Sequence, residues 1–130
     1  MTTQPYSVED ITADYRKSLQ VIEEQREELD REILRLDQEQ DDVYEIHKRA
    51  LVIFRELGNC CEDDSMTRSM ESLEDELIAS QHELEHALQN QRERLQEEKV
   101  YTYEKEDEVT ASYHESMKRL EDDEKEDKLQ

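Results

Sequence analysis

Apolar residues recur at every seventh position through the first part of the chain. The series runs without a gap through Tyr15, Ile22, Leu29, Leu36, Val43, Ala50 and Leu57. A companion row, four residues further on each time, is half polar and consists of Leu19, Arg26, Ile33, Gln40, His47 and Phe54. This repeat is typical of a helix that supercoils left-handedly with another helix. We therefore predict a long first helix whose seam, the rows that face the other helix, contains polar residues that help to fix register.

A second apolar series follows a short polar link. Gly58 stands directly after Leu57, where the end of a helix favours a residue with positive φ, and Asp64 or Ser65 can cap the next helix. The second series is spaced by threes, fours and sevens, with a thinner stretch at Thr102. It contains Met70, Leu73, Leu77, Leu84, Leu88, Leu95, Val109, Tyr113 and Leu120.

Together the two series predict an all-α fold, a two-helix antiparallel coiled-coil hairpin that we expect to pack with further helices of a partner. The predicted segments are an N-terminal lead-in at 1–6, helix 1 at 7–57, a turn at 58–65, helix 2 at 66–121 and an acidic tail at 122–130. Ser7, with Asp10 three residues on, predicts a capping box at the start of helix 1. Folding about the link places Tyr15 near Val109.

Composition and charge narrow the possible functions. The chain is 42% charged and 33% apolar, with one Gly and one Pro, so it is too polar for a deep core and too poor in turn residues for sheets. Low hydrophobicity with high net charge is also a signature of disorder, but here the apolar residues are periodic. The net charge of −21 excludes non-specific binding to nucleic acid or anionic membrane and favours partners with positive patches.

Location follows from the same features. No stretch approaches the apolar length of a membrane span, and the first residues show no basic-then-apolar signal peptide. We expect a cytoplasmic protein without membrane insertion, or one that is secreted without a cleaved leader. The adjacent Cys60 and Cys61 are interpreted as reduced thiols, with an intermolecular disulfide in an oxidising setting as the alternative.

One segment resembles a catalytic motif. The run from His82 to His86 matches the zinc-peptidase pattern H-E-x-x-H. Such a site also needs a third protein ligand and a walled cleft, which a helical hairpin does not offer. Leu84, between the two histidines, is assigned to the seam, which directs both histidines towards solvent. We therefore expect no catalytic residue, no metal site and no cofactor, and we predict that the protein is not an enzyme.

Five adjacent apolar residues stand just before the link, from Ala50 to Phe54. Such a run goes all the way round a helix, so a two-helix seam can cover only Ala50, Ile53 or Phe54, and Leu57, which leaves Leu51 and Val52 exposed. Crowding near the end of a hairpin is one interpretation, and a docking surface for further helices is the other. The predicted partner-binding residues are Ile46, Leu51, Val52, Phe54 and Ile78.

A leaderless, acidic helical hairpin with Gly58 near its turn resembles the WXG-type substrates of bacterial type VII secretion. It is closer still to the small helical partner proteins encoded beside LXG toxins. The stretch from Leu95 to Tyr113 is similar in texture to the second helix of one such family, although the turn keeps the Gly without the Trp. In these systems a Y-x-x-x-[DE] element late in the second helix acts as an export signal. The resemblance assigns that role to Tyr103 and Asp107.

Two functions remain open from the sequence. The first is a small acidic adaptor or targeting chaperone that binds a helical segment of a client, such as the N-terminal domain of an LXG toxin or a second small helical protein, and is exported with it. The resemblance thus implies a hetero-oligomer rather than a monomer. The alternative is a self-associating structural coiled coil or scaffold protein. A third reading, an acidic mimic of nucleic acid, would need carboxylates arrayed on a compact surface.

Overall fold

A computed structural model describes residues 7–60 and 63–129 of the chain. Within these residues there are two helices, α1 (Val8–Cys60) and α2 (Asp64–Leu129), which pair as a hairpin. Only Ser7 and Asp63 among the described residues lie outside a helix. The predicted all-α helical hairpin is confirmed.

Side chains cap the first turn of each helix. Ser7 and Asp10 form the predicted capping box: the Asp10 amide donates to Ser7 Oγ at 3.2 Å, and the Ser7 amide donates to Asp10 Oδ2 at 3.2 Å. The cap of α2 is Asp63, where the sequence had suggested Asp64 or Ser65. Its Oδ1 accepts the Ser65 amide at 3.0 Å, which satisfies one of the amide groups that the first turn of a helix leaves unpaired.

The helix ends differ from the predicted boundaries. Helix α1 continues through Gly58 to Cys60, and Gly58 does not have a positive φ. Glycine can adopt helical angles at a cost of about 1 kcal/mol, so a lone Gly does not force an end. Helix α2 starts at Asp64 and includes the predicted acidic tail up to Leu129. Glu121 and Glu124 stand four positions before Lys125 and Lys128, which is the order that supports a helix.

The helices pair within two units: unit 1 is made of Met1–Asp30 and Glu97–Gln130, and unit 2 is Arg31–Gln96. In unit 1, Ile22 and Thr102 are buried, which confirms that the seam passes through Thr102. The rings of Tyr15 and Tyr113 stack, with centroids 4.2 Å apart, and Tyr15 Oη shares a hydrogen bond of 3.0 Å with Thr110 Oγ1. Tyr15 thus lies against the residues that follow Val109.

A polar cluster stands in the seam of unit 1. Arg26 donates through Nη2 to Glu106 Oε2 at 2.5 Å and through Nε to Thr102 Oγ1 at 3.3 Å. The hydrogen bond to Glu106 and the charge of its carboxylate raise the pKa of Arg26 above its ordinary value. Lys99 Nζ lies 2.7 Å from Asp30 Oδ1, and that hydrogen bond likewise raises the pKa of Lys99. These pairs link α1 to α2 at fixed positions, as expected of polar seam residues.

In unit 2 the buried apolar residues are Ile33, Leu36 and Leu95. His47 is also buried, with Nδ1 2.8 Å from the Val43 carbonyl oxygen, so it faces the seam as predicted. Ion pairs join the two helices here as well. Arg55 Nε lies 2.9 Å from Glu74 Oε1, and Arg92 Nε lies 3.3 Å from Asp37 Oδ1.

Both predicted seam rows of α1 are buried or half-buried, except at Leu57, where Gly58 is half-buried in its place. Helix α2 departs further from the prediction in unit 2. Leu73 and Leu84 are exposed, while Glu74 and Glu85, one position later, are half-buried. The assignment of Leu73 and Leu84 to the seam was therefore wrong.

Candidate functional site

The structure does not bring the five predicted partner-binding residues onto one surface. Phe54 and Ile78 are half-buried in the seam, and Leu51 is half-buried rather than exposed as expected. Ile46 and Val52 are exposed. Val52 stands two residues from both Ala50 and Phe54, so its side chain is turned away from α2. Of the five predicted residues, Ile46 belongs to an exposed apolar surface that borders the seam of unit 2.

Unit 2 carries six large apolar residues that are between 41% and 63% exposed and that share a position relative to the seam. Each directly precedes a buried or half-buried residue of the seam. In α1 they are Ile46, Ile53 and Leu57, which precede His47, Phe54 and Gly58. In α2 they are Met66, Leu73 and Leu84, which precede Thr67, Glu74 and Glu85. We call these six residues the apolar flank.

Helix geometry places the six residues on one side of unit 2. In a right-handed helix, a residue is rotated by about 100° from the one that follows it, always in the same sense. In unit 2, α1 and α2 face each other and run in opposite directions. A residue that directly precedes a seam residue therefore points to the same side of this unit in both helices. The apolar flank is therefore one surface that borders the seam, not six separate exposed residues.

Half-buried residues make the flank continuous. Ala50 lies between Ile46 and Ile53 in α1, and Met70 and Leu77 continue the row of α2. With them, the spacings alternate between three and four from Ile46 to Leu57 in α1 and from Met66 to Leu77 in α2, and Leu84 follows seven residues later. That spacing is the pattern by which a helix packs against a neighbouring helix. In α1 this exposed row stands beside the apolar seam residues Ala50 and Phe54, whereas in α2 it stands beside the polar seam residues Thr67, Glu74 and Glu85.

Charged residues border the apolar flank. The described charged residues that lie three or four positions from one of its members, and hence next to it on the helix surface, are mostly acidic. They are exposed and consist of Asp42, Arg49, Glu56, Asp63 and Glu76. Four acids and one base give the border of the flank a local negative charge, in agreement with the net charge of the chain.

The proposed export pair lies in unit 1. Tyr103 is 48% exposed, and Cζ of Arg26 lies 3.9 Å from the centre of its ring, so α1 partly covers it by a cation–π contact. Asp107 is exposed one helical turn further on. Their assignment as an export signal stays a prediction.

Unit 1 also has an open apolar cleft between its helices. Val21, Leu29 and Tyr101 contribute to its lining, and Val21 and Tyr101 are exposed. Lys105 Nζ lies 5.8 Å from the centre of the Tyr101 ring. This cleft has fewer large exposed aliphatic residues than the apolar flank and is the lesser candidate for a binding surface.

The histidines of the H-E-x-x-H sequence are exposed. His82 Nδ1 lies 3.9 Å from Glu85 Oε2, and His86 is also exposed. Within residues 7–60 and 63–129, no group of three or more His, Cys, Asp or Glu side chains could hold a metal ion. Cys60 is exposed with a free thiol, whereas Cys61 lies outside the described residues.

Sequence reasoning missed most of the apolar flank for an identifiable reason. Leu57, Leu73 and Leu84 were assigned to the seam, and Ile53 was treated as an alternative to Phe54 there. The available signal was in α1, where Ile46 and Ile53 form a second apolar row beside Ala50 and Phe54 near the link. One row can face the opposite helix while the other stays uncovered.

Over the part of the chain that the structure describes, neither α1 nor α2 contains a stretch long and apolar enough to span a membrane. Comparison with known proteins found no match for this chain among protein-family models, curated proteins or solved structures.

Proposed function

We propose that this protein is a non-catalytic helical adaptor that binds a helical segment of a client protein through the apolar flank. The observation that carries the proposal is the grouping of Ile46, Ile53, Leu57, Met66, Leu73 and Leu84 on one side of unit 2. Large exposed apolar patches with polar borders are typical of surfaces that bind other proteins. In a chain that is 42% charged, such a grouping is a specific feature rather than a general property of the surface.

The shape of the flank favours a helix as the ligand. Its two rows follow neighbouring antiparallel helices, so they border a shallow groove that a third helix can enter with its own apolar stripe. Complete burial of a large aliphatic side chain is worth about 1.5–3 kcal/mol, and these six are about half exposed, so covering them contributes roughly 5–9 kcal/mol. Association costs about 4–15 kcal/mol. Stable binding therefore requires a matching apolar stripe on the client as well.

A narrower form of the proposal comes from the resemblance to type VII partner proteins. In that form the client is an LXG toxin, the two proteins are exported together, and Tyr103 with Asp107 is the export signal. The alternative, a self-associating structural coiled coil, would use the same flank to bind a second copy.

The test compares two neighbouring substitutions of similar exposure. Ile53→Glu places a carboxylate in the apolar flank, and Val52→Glu places one on the side of α1 turned away from α2; the parent residues are 55% and 48% exposed. Both variants should keep their helix content by circular dichroism. In co-purification with the product of the neighbouring gene, Ile53→Glu should lose the client because a carboxylate buried without a partner is strongly unfavourable. Val52→Glu should keep it.

Equal binding by both variants would show that the apolar flank is not the binding surface. Loss of helix in Ile53→Glu would show that the residue belongs to the core. The export signal is tested separately by Tyr103→Ala, with Tyr101→Ala as the matched control. The Tyr103 variant should still bind the client but no longer be secreted, and secretion of both variants would remove Tyr103 from the proposal.

A further inference from the structure

The charge around the apolar flank specifies its ligand more closely. We propose that the ligand is a single amphipathic helix with basic residues on both sides of its apolar stripe, and not a second copy of this chain. This inference rests on the proposed function and deepens it, since it concerns the same surface. It depends on which charged residues border the flank and on what each kind of ligand would bring against them.

The acids border the flank on both helices. On α1, Asp42 stands four residues before Ile46, and Glu56 stands three residues after Ile53. On α2, Glu76 stands three residues after Leu73. Residues three or four apart are neighbours on a helix surface, so these carboxylates stand beside the groove where a docked helix would have its margins. Lys or Arg at both margins of the ligand would meet them.

A second copy fits this surface poorly. Two identical chains that bind through the same patch do so with two-fold symmetry, which brings the same set of residues from both copies together. The borders would then contribute Asp42, Glu56 and Glu76 twice, with Lys48 and Arg49 as the bases that line the surface beside Ile53 on each copy. Each chain also carries a net charge of −21, so the copies repel each other before contact. A basic helix is instead attracted at long range and paired at short range.

Binding can be measured with three designed helical peptides of equal length. The first has an apolar stripe with Lys at both margins, the second has the same stripe with Glu at the margins, and the third has the composition of the first in scrambled order. The full chain is titrated with each by fluorescence anisotropy at physiological salt. We expect the basic striped peptide to bind at least tenfold more tightly than either of the others, a difference of about 1.4 kcal/mol.

Two pairs of variants then locate the binding. The first double variant, Asp42→Lys with Glu76→Lys, reverses the charge beside the flank. The control double variant, Asp41→Lys with Asp75→Lys, makes the same change in net charge at two exposed residues. Each of these directly follows a seam residue and therefore lies on the side of the seam opposite to the flank. Only the first double variant should bind the basic peptide more weakly and the acidic peptide more tightly than the parent protein does. Ile53→Glu should abolish binding of the basic peptide, and Val52→Glu should leave it unchanged.

The outcomes separate this inference from the proposed function. Equal binding of basic and acidic striped peptides, both lost in Ile53→Glu, would keep the adaptor function and overturn the charge requirement. If the basic peptide bound the Ile53→Glu variant as tightly as it binds the parent protein, its binding would be non-specific attraction to an acidic chain. That result would overturn the inference. A dimer in sedimentation equilibrium that Ile53→Glu dissociates would make a second copy the ligand. Failure of every peptide to bind, with no self-association, would remove the proposed function itself.

Discussion

Leu36 tests directly whether the heptad seam holds the hairpin together. It is 4% exposed in unit 2, whereas Leu34, two residues earlier on the same helix, is 59% exposed. Leu36→Ala removes three carbon atoms from the seam, and at about 0.8 kcal/mol for each buried methylene the loss is about 2.4 kcal/mol. Cavity formation can add to this, but neighbours in a two-helix seam can close in, so we expect the low end of the range for buried leucines, about 2–3 kcal/mol.

Leu34→Ala is the matched control, since it makes the same chemical change on the same helix at a side chain that is mostly exposed. Leucine and alanine have similar helix propensities, so its effect should stay within about 0.5 kcal/mol. Both variants are measured by urea unfolding followed by far-ultraviolet circular dichroism at one protein concentration. An unchanged dependence on urea concentration would show that the difference lies in stability and not in the extent of unfolding. Equal effects of the two substitutions would refute the assignment of Leu36 to a buried seam.

Two further substitutions probe the link and the polar seam. Gly58→Ala should stabilise the protein by about 0.5–1 kcal/mol, because Gly58 is helical and alanine is the better helix former. The added Cβ would lie 3.9 Å from Met70 Cβ, which is an ordinary contact. A loss of stability in urea unfolding would contradict that geometry. A double-mutant cycle of Arg26→Met and Glu106→Gln should give a coupling of about 1 kcal/mol, since Glu106 is 39% exposed and solvent screens the pair. A coupling of zero would show that the contact is not stabilising.

The ends of the helices show what local sequence can and cannot predict. The capping box of Ser7 and Asp10 is formed as predicted, because it depends on residues three apart and on nothing else in the fold. The end of α1 depends on more than Gly58. Glycine permits a positive φ but does not require it, and here α1 continues while its backbone passes close to Met70. Only the position of α2 shows that a Cβ at Gly58 would make an ordinary contact with Met70, so packing does not require the glycine either.

Much of the binding surface was not predictable from periodicity. In α2 the row that contains Leu95 and Leu88 becomes polar towards the link, at Gln81 and Glu74, while Leu73 and Leu84 stand beside it. Apolar periodicity alone therefore assigns Leu73 and Leu84 to the seam. The structure decides otherwise because a helix turns one continuous face towards its neighbour. With Leu88 half-buried and Leu95 buried seven residues apart, the same face continues back through Gln81 and Glu74, which leaves Leu84 and Leu73 beside it.

The sequence by itself determined the two helices, the seam of α1 and the acidic surface, because a seven-residue repeat and a net charge of −21 are properties of the chain that packing does not alter. Tertiary structure decided the pairing of Tyr15 with Tyr113, the contact of Arg26 with Glu106 and the exposure of the apolar flank. These features depend on how one helix is placed along and around the other. That placement is set by packing between residues far apart in sequence, which no local pattern contains.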